Sequence, residues 1–413
     1  MSYKLSIVKN KMMKRIINIL ILLCCIASLS SCGNSTEERS RVLKIYNWAD
    51  YIDEDVLAEF PDWYKQQTGE DLRIIYQVFD INEIMLTKIE RGHEDFDVVC
   101  PSEYIIERML RKDLLLPIDR NFGHTPDYIP NVSPYIRHEL NKTSQPERQT
   151  EDYAVPYMWG TTGLIYNTTM VEEPPTKWAD MWDVAYTNNV LMFNNSRDAY
   201  AIAAKTIGLS MNPQSVDEIT AITDALKAQK NIVQAYVMDE VFDKMECGEA
   251  AMAPYYAGDA ITMIDENPDL AFVHPEEGVN FFIDSMCIPA NAKHQEAAEM
   301  FINFMCEPDI AYSNIDYICY STPHSGAYEM LDEETRSNPV SYPGNDYLDE
   351  NTTIFVNLSD EANLQMQTLW TEMKSAENET PNRWIVPVFL LLCLGLMIFV
   401  LIRRHIRNKK DIY

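Results

Sequence analysis

The stretch that decides the fold class is VLKIYNWADYIDEDVLAEF at residues 42–60. Its first part, Val42–Tyr46, is short and mostly apolar, which predicts a buried strand. A helical pattern follows over Asp53–Gln67. The residues between them, 47–51, are mostly polar or aromatic. The stretch therefore predicts a βα unit with polar and aromatic side chains just beyond its strand.

The same unit recurs along the chain. Further strands are predicted at 72–79, 96–100, 190–193, 233–237, 250–255, 271–273 and 281–288. Further helices are predicted at 82–91, 103–110, 198–207, 216–229 and 295–305. Repeated βα units favour a parallel sheet covered by helices on both faces, and their number predicts two α/β domains.

The N-terminus has the order of segments that is typical of a secretory signal. Basic residues, among them Lys14 and Arg15, precede the apolar run 16–27, and Leu29-Ser30-Ser31-Cys32 follows. The last four residues resemble a bacterial lipobox, which implies cleavage before Cys32 and a lipid on its thiol. We therefore expect a lipoprotein signal peptide at 1–31 and a polar tether at 32–41.

The C-terminus predicts a membrane span. Residues 384–402 contain no charge, and at about 1.5 Å per residue they would form a helix of roughly 28 Å, enough to cross a bilayer core. The polar linker 375–383 precedes this segment, and the basic tail 403–413 follows it, which predicts a cytoplasmic C-terminus. The body would then lie at the outer, periplasmic face of the inner membrane.

Between these ends the chain is strongly acidic. Residues 33–382 contain 23 Lys and Arg against 62 Asp and Glu, a balance of −39. Such a surface disfavours nucleic acid and favours cationic ligands. The cysteines of the body and the seven histidines show no metal-ligand spacing, so no metal or cofactor is expected.

Ligands of open α/β sheets bind beyond the carboxyl ends of the strands. Five such segments, 47–51, 101–104, 194–198, 255–259 and 282–284, each contain a carboxylate, and four contain aromatic residues. Carboxylates and aromatic faces together suit an alkyl amine, through charge-assisted hydrogen bonds and cation–π contacts. Asp284 is the strongest candidate because it lies within an apolar run, where an unpaired carboxylate is costly.

Residues 42–374 resemble the periplasmic spermidine/putrescine-binding proteins of ABC transporters. The resemblance rests on YNWADYI at 46–52, FDVVCPSEYIIERM at 96–109, VPYMWGTTGLIYN at 155–167, SRDAYAIA at 196–203, FFIDSMCIPANAK at 281–293 and ICYSTP at 318–323. It implies two α/β domains with a ligand cleft between them, one formed by 42–154 and 283–325 and the other by 155–282 and 326–374. It also implies a monomer that delivers a polyamine to an ABC permease.

The resemblance assigns eleven ligand-binding residues by position. They are Trp48, Asp50, Tyr51, Ser102, Tyr104, Asp198, Tyr256, Asp259, Phe282, Asp284 and Tyr320. An Asp at 259 is similar to the putrescine type, whereas Tyr256 and Phe282 replace tryptophans of the family. Read without the resemblance, Asp50 could instead cap the following helix, and Asp198 could be an ordinary acid in the first turn of a helix.

Parts of the sequence also suit three other functions. Tyr255 and Tyr256 could serve as ligands of ferric iron, because iron-binding proteins of similar architecture use adjacent tyrosinates. The transmembrane segment could make the protein a polyamine sensor rather than a transport component. A glycosidase could use two of the acids, but no hydrolase, nucleotide or zinc motif is present, so a binding protein is predicted rather than an enzyme.

Overall fold

A computed structural model describes residues 39–92 and 94–376. Several predictions concern residues outside these ranges: the signal peptide 1–31, lipidation of Cys32, most of the tether 32–41 and of the linker 375–383, the span 384–402 and the tail 403–413. Within the described ranges, none of the helices combines the length and the apolar composition needed to cross a bilayer. The guanidinium of Arg39, the first described residue, pairs with Asp95 at 2.7 Å and with Asp97 at 2.9 Å.

The described residues form eleven strands and fourteen α-helices. The strands are β1 Val42–Trp48, β2 Arg73–Phe79, β3 Val98–Val99, β4 Leu115–Leu116, β5 Ala154–Asn167, β6 Val190–Phe193, β7 Val233–Val237, β8 Met252–Tyr256, β9 Leu270–Val273, β10 Val279–Pro289 and β11 Thr352–Ile354. The helices are α1 Glu54–Thr68, α2 Asn82–Arg91, α3 Glu103–Arg111, α4 Pro134–Leu140, α5 Ser196–Thr206, α6 Val216–Gln229, α7 Glu240–Glu246, α8 Ala257–Glu266, α9 Gln295–Phe304, α10 Pro308–Ile318, α11 Ser325–Met330, α12 Glu333–Ser337, α13 Asn345–Asn351 and α14 Asp360–Ser375.

Local sequence signals explain where several helices begin. The side chain of Asp53 accepts a hydrogen bond from the Asp55 amide and caps α1. Ser215 and Glu218 form a reciprocal capping box at the start of α6. Asn195 caps α5 by accepting from the Arg197 amide, and this cap holds the first turn of α5, including Asp198, at the end of β6.

The sheet has the strand order β2-β1-β3-β10-β5-β8-β6-β7, with β4 and β11 beside β10 and β9 beside β5. Pairing is parallel within each outer group, β2-β1-β3 and β8-β6-β7. The two long strands β5 and β10 pair antiparallel with each other and with these groups. We call the part built on β1–β4 the first lobe and the part built on β6–β9 the second lobe.

The two central strands are the main difference from the sequence-based expectation of parallel pairing. β5 contains 14 residues, all of them buried, so it shows neither strand alternation nor a helical period. The other predicted helices and strands have bounds within about two residues of the prediction, except that the strand expected at 96–100 is reduced to Val98–Val99. Helices α4, α7, α8 and α10–α14 and the short strands β4 and β11 were not predicted. A strand buried on both faces has no periodic signal, which explains why β5 was not predicted.

Each lobe has its own apolar core. The second-lobe core includes Trp178, Phe193 and Ile222, and α14 packs on it through Met366 and Trp370. The first lobe contains two buried clusters, one around Phe60 and Phe301 and the other around Phe96 and Met109. The loops at the strand ends meet between the two lobes.

Candidate ligand-binding cavity

A cavity of about 360 Å³ lies between the lobes, and residues of both lobes line it. All eleven residues that the sequence nominates line this one cavity, although they come from six separate segments. They are Trp48, Asp50, Tyr51, Ser102, Tyr104, Asp198, Tyr256, Asp259, Phe282, Asp284 and Tyr320. A volume of this size suits a small organic molecule.

Asp284 lies on β10 at the point where pairing with β5 shifts register, between Asp284 and Ser285. Only 4% of its surface is exposed. Its carboxylate accepts hydrogen bonds from the Ser102 hydroxyl at 2.7 Å and the Tyr51 hydroxyl at 2.9 Å. Burial raises the pKa of Asp284 to about 6, an increase that these two hydrogen bonds oppose.

Asp198 occupies the first turn of α5 and is also buried. Its Oδ2 accepts from the side-chain amide of Asn195 at 2.7 Å and from the Tyr256 hydroxyl at 3.0 Å. Burial raises the pKa of Asp198 to about 7, despite the opposing effects of the Tyr256 hydrogen bond and the nearby Arg197 charge. Asp198 is thus both a first-turn acid and a cavity residue.

Asp259 lies in the first turn of α8 and accepts a hydrogen bond from the Tyr320 hydroxyl at 2.9 Å. Burial raises the pKa of Asp259 to about 7, and the negative charges of Asp239 and Asp50 add to this shift. The ring of Tyr320 lies directly against Gly258, where a Cβ would be only 2.2 Å from the Tyr320 Cδ2. The absence of a side chain at Gly258 therefore lets Tyr320 reach Asp259.

Aromatic rings cover the walls between these carboxylates. Tyr51 and Tyr320 meet edge to face with ring centroids 5.0 Å apart. Tyr256 and Phe282 do the same at 5.4 Å. Such rings can contact methylene groups and attract a cation to their faces.

Asp50 contributes to the cavity rather than to a helix cap. The residue that caps α1 is Asp53, so the capping alternative for Asp50 was wrong. Asp50 has a left-handed backbone conformation, with φ of 48°, which Asp tolerates better than most residues do. This conformation lies in the loop between β1 and α1, beside the cavity.

Sequence reasoning missed several cavity residues. Asn82 donates hydrogen bonds to Ser102 and Tyr104 and so holds this wall in place. Glu103 is the carboxylate of segment 101–104, but it is not among the eleven nominated residues. Phe355 comes from a segment without a recognised motif, so no sequence signal indicated it.

The charge of the lining is entirely negative. Among the described residues the lining includes six Asp and one Glu, and it contains no Lys, Arg or His. The three acids with hydroxyl partners, Asp198, Asp259 and Asp284, are desolvated and have no cationic partner in the cavity. A ligand with ammonium groups would supply the missing positive charge and gain charge-assisted hydrogen bonds.

The same geometry argues against a tyrosinate metal site. Burial and the neighbouring carboxylates raise the pKa of Tyr255 and of Tyr256 well above the usual value of 10.0, which disfavours ionised phenols. The Tyr256 hydroxyl is already engaged with Asp198. Within the described ranges no group of three or more His, Cys, Asp or Glu is arranged to hold a metal ion.

Comparisons with known proteins agree on one kind of protein. The family model described as bacterial extracellular solute-binding protein matches residues 96–351. The spermidine/putrescine-binding periplasmic protein of Salmonella typhimurium is 31% identical over 73% of this chain and 83% of its own length. The putrescine-binding periplasmic protein PotF of Escherichia coli is 28% identical over 82% of this chain and 92% of its own length.

A solved structure gives the same result in three dimensions. The spermidine/putrescine ABC transporter substrate-binding protein PotD of Streptococcus pneumoniae superposes with a TM-score of 0.66 at 32% sequence identity. The match covers 81% of this chain and 98% of the pneumococcal chain.

Proposed function

This chain belongs to the bacterial extracellular solute-binding proteins, and from that premise we propose that it binds putrescine or spermidine between its lobes and delivers the amine to an ABC permease. The family is one of solute-binding proteins of transporters, which confirms the prediction that the chain is not an enzyme. The names of the relatives support a polyamine ligand and a periplasmic location.

The observation that carries this proposal is the unbalanced charge of the cavity. Its lining combines seven carboxylates with aromatic rings and, within the described residues, no basic side chain. One ammonium group would lie at Asp284, beside the hydroxyls of Tyr51 and Ser102. A second would lie at Asp198 or Asp259, and the methylene groups between them would contact Tyr256 and Phe282.

Calorimetric titration of the full-length chain with putrescine and spermidine tests the proposal. We expect micromolar or tighter binding of at least one of them, because two charge-assisted contacts contribute about 1.5–3 kcal/mol each. Butanol and butyrate serve as controls of similar length without an ammonium group. No heat with either polyamine, or equal binding of the controls, would contradict the proposal.

The iron-binding and sensor alternatives are not favoured by the relatives, whose names describe polyamine-binding proteins. Raised pKa values at Tyr255 and Tyr256 also oppose the iron alternative. A sensor role depends on residues 384–402, which lie outside the described ranges.

The membrane attachment is the second part of the proposal. A lipid on Cys32 and a helix over 384–402 would keep the cavity near the permease and raise its effective concentration there. Alkaline carbonate extraction of membranes tests it. The parent chain should stay with the membrane. A chain with residues 384–413 deleted and residues 1–32 replaced by a cleavable signal peptide without a lipobox should be released, and its retention would contradict this part of the proposal.

A further inference from the structure

Glu103 is the most deeply buried carboxylate of the cavity lining, with no exposed surface. Both of its oxygens are engaged by backbone amides: Oε2 accepts from Ile283 at 2.9 Å and Oε1 accepts from Phe355 at 3.2 Å. The partners of Glu103 are two backbone amides, whereas the partners of Asp284 are two side-chain hydroxyls, so Glu103 connects two segments of the main chain.

The two amides belong to segments that are far apart in sequence but adjacent in the cavity. Ile283 precedes Asp284 on the central strand β10. Phe355 belongs to a segment that we call the strap, residues 354–357, and its ring lines the cavity. The Glu103 carboxylate therefore connects β10, which contains Asp284, to the strap, which contains Phe355.

The strap is held from both lobes by side chains. From the first lobe, Glu107 accepts from the Asn357 amide at 2.7 Å. From the second lobe, Asn212 accepts from the Val356 amide at 3.1 Å and donates to the Ile354 carbonyl at 3.0 Å. The guanidinium of Arg197 stacks on the Phe355 ring, with Cζ 4.0 Å from the ring centroid. The position of Phe355 thus depends on both lobes. β11 pairs with β10 as far as Ile354 and Phe281, and Glu103 extends this connection to Phe355 and Ile283.

We propose that Glu103 is a positioning residue for ligand binding: it fixes the separation between Asp284 on β10 and Phe355 on the strap. This inference rests on the proposed polyamine function. A shift of about 1 Å in either segment would misalign the ammonium group with its carboxylate or with the ring beside it, and such shifts weaken binding without new contacts.

Glu107 provides a matched control on the same helix. It accepts from the same strap, but it contacts neither β10 nor the cavity, and its other oxygen pairs with Arg111. Glu103→Gln retains one acceptor oxygen, whereas Glu103→Ala removes both. Glu107→Gln weakens the hold on the strap and leaves the connection between Glu103 and β10 intact.

The test is calorimetric titration of the full-length parent, Glu103→Gln, Glu103→Ala and Glu107→Gln with putrescine, together with melting temperatures. We expect the Kd to rise about 30-fold in Glu103→Ala, about fivefold in Glu103→Gln and less than twofold in Glu107→Gln, following the usual cost of lost hydrogen bonds to charged groups. Melting temperatures of the two Gln variants should fall by similar amounts.

The pH profile supplies a readout that a purely structural role would not change. Burial and the nearby charge of Asp284 raise the pKa of Glu103 to about 8 against the opposing backbone hydrogen bonds, and Arg197 is the basic group that faces it. As Glu103 ionises, the parent should gain affinity for putrescine between pH 7.5 and pH 9. That gain should be retained in Glu107→Gln and reduced in Glu103→Gln.

Equal Kd values for the parent and both Glu103 variants would overturn this inference, as would an equal loss of affinity in Glu103→Gln and Glu107→Gln. If Glu103→Ala fails to fold, the two Gln variants and their pH profiles still decide the matter. A parent chain that binds no polyamine overturns the proposed function itself, which distinguishes the two failures.

Discussion

Asp97 of the first lobe and Asp284 of the central strand β10 are almost equally buried. Their exposed fractions are 0% and 4%. Asp97 pairs with the Arg39 guanidinium and accepts from the backbone amides of Lys44, Lys293 and His294 at 2.8–2.9 Å. Asp284 accepts from two hydroxyls, and no basic side chain of the described residues lines its cavity.

The difference shows that the partners of a buried carboxylate indicate its role better than its burial does. The charge of Asp97 is neutralised within the protein, so this residue connects three segments of the first lobe. The charge of Asp284 is left without a cation, which costs free energy in the empty cavity and is recovered when a cation binds. Asp198 and Asp259 belong to the same class as Asp284, because hydroxyl or amide groups are their hydrogen-bond partners.

The largest expected effect is that of pH on the affinity for putrescine, through the three cavity acids Asp198, Asp259 and Asp284. Asp284 has a pKa of about 6, and Asp198 and Asp259 have pKa values of about 7, so all three carry protons at pH 5 that putrescine must displace. We expect the Kd to rise at least about 100-fold from pH 8 to pH 5, since each unit below a pKa costs about 1.4 kcal/mol per group. Calorimetry across this range checks it, and a constant Kd would contradict it.

The same pKa shifts predict the stability of the ligand-free protein. Because these pKa values are raised above the usual 3.8, their contribution to stability is fully present below pH 3.8 and is lost as pH rises through 6 to 7. Putrescine should therefore raise the melting temperature more at pH 8 than at pH 5. A larger shift at pH 5 would contradict this sign.

Exchanging each aspartate for asparagine tests the comparison directly. Asp284→Asn should raise the Kd for putrescine about 30- to 100-fold through loss of a charge-assisted contact, with little loss of stability. Asp97→Asn should lower the free energy of unfolding by about 3 kcal/mol, because it leaves a partly buried Arg39 less well paired, with a Kd close to that of the parent. Titration calorimetry measures the Kd, and urea unfolding measures the free energy of unfolding. A loss of stability without a loss of affinity in Asp284→Asn, or a loss of affinity without a loss of stability in Asp97→Asn, would refute the distinction.

A smaller effect is expected at the aromatic wall. Tyr256→Ala should raise the Kd about tenfold, since cation–π and stacking contacts contribute roughly 0.5–2 kcal/mol. Tyr256→Phe should raise it only about threefold, because the ring remains and only the hydrogen bond to Asp198 is lost. The control is Tyr200→Phe, which removes a buried hydroxyl bonded to Thr223 away from the cavity and should leave the Kd unchanged.

A small effect is also expected at Gly258. A methyl group there would push the Tyr320 ring away and lengthen its hydrogen bond to Asp259, so Gly258→Ala should raise the Kd about threefold to fivefold. Gly326→Ala is the control, because its Cβ would meet only Pro308 and His324 outside the cavity. Equal Kd values for the two variants would show that the position of Tyr320 does not matter.

Much of the fold could be predicted because its outer strands and helices have periodic patterns and caps. α2, α6 and β6 occupy the residues that the sequence predicted. The central strand β5 could not be predicted, since it is buried along its whole length, and neither could its antiparallel pairing with β10. The strand expected at 96–100 pairs with β1 only through Val98 and Val99 and with β10 only through Val99.

The sequence by itself determined the fold class, the acidic balance of the body and eleven residues that line one cavity, because these follow from local patterns and from a resemblance spread over most of the chain. Only the tertiary structure decided which buried acids lack a cation. Tyr51 and Asp284 are 233 positions apart, and Glu103 and Phe355 are 252 apart. Counter-charges and hydrogen bonds over such separations depend on how the lobes pack, which no local pattern contains.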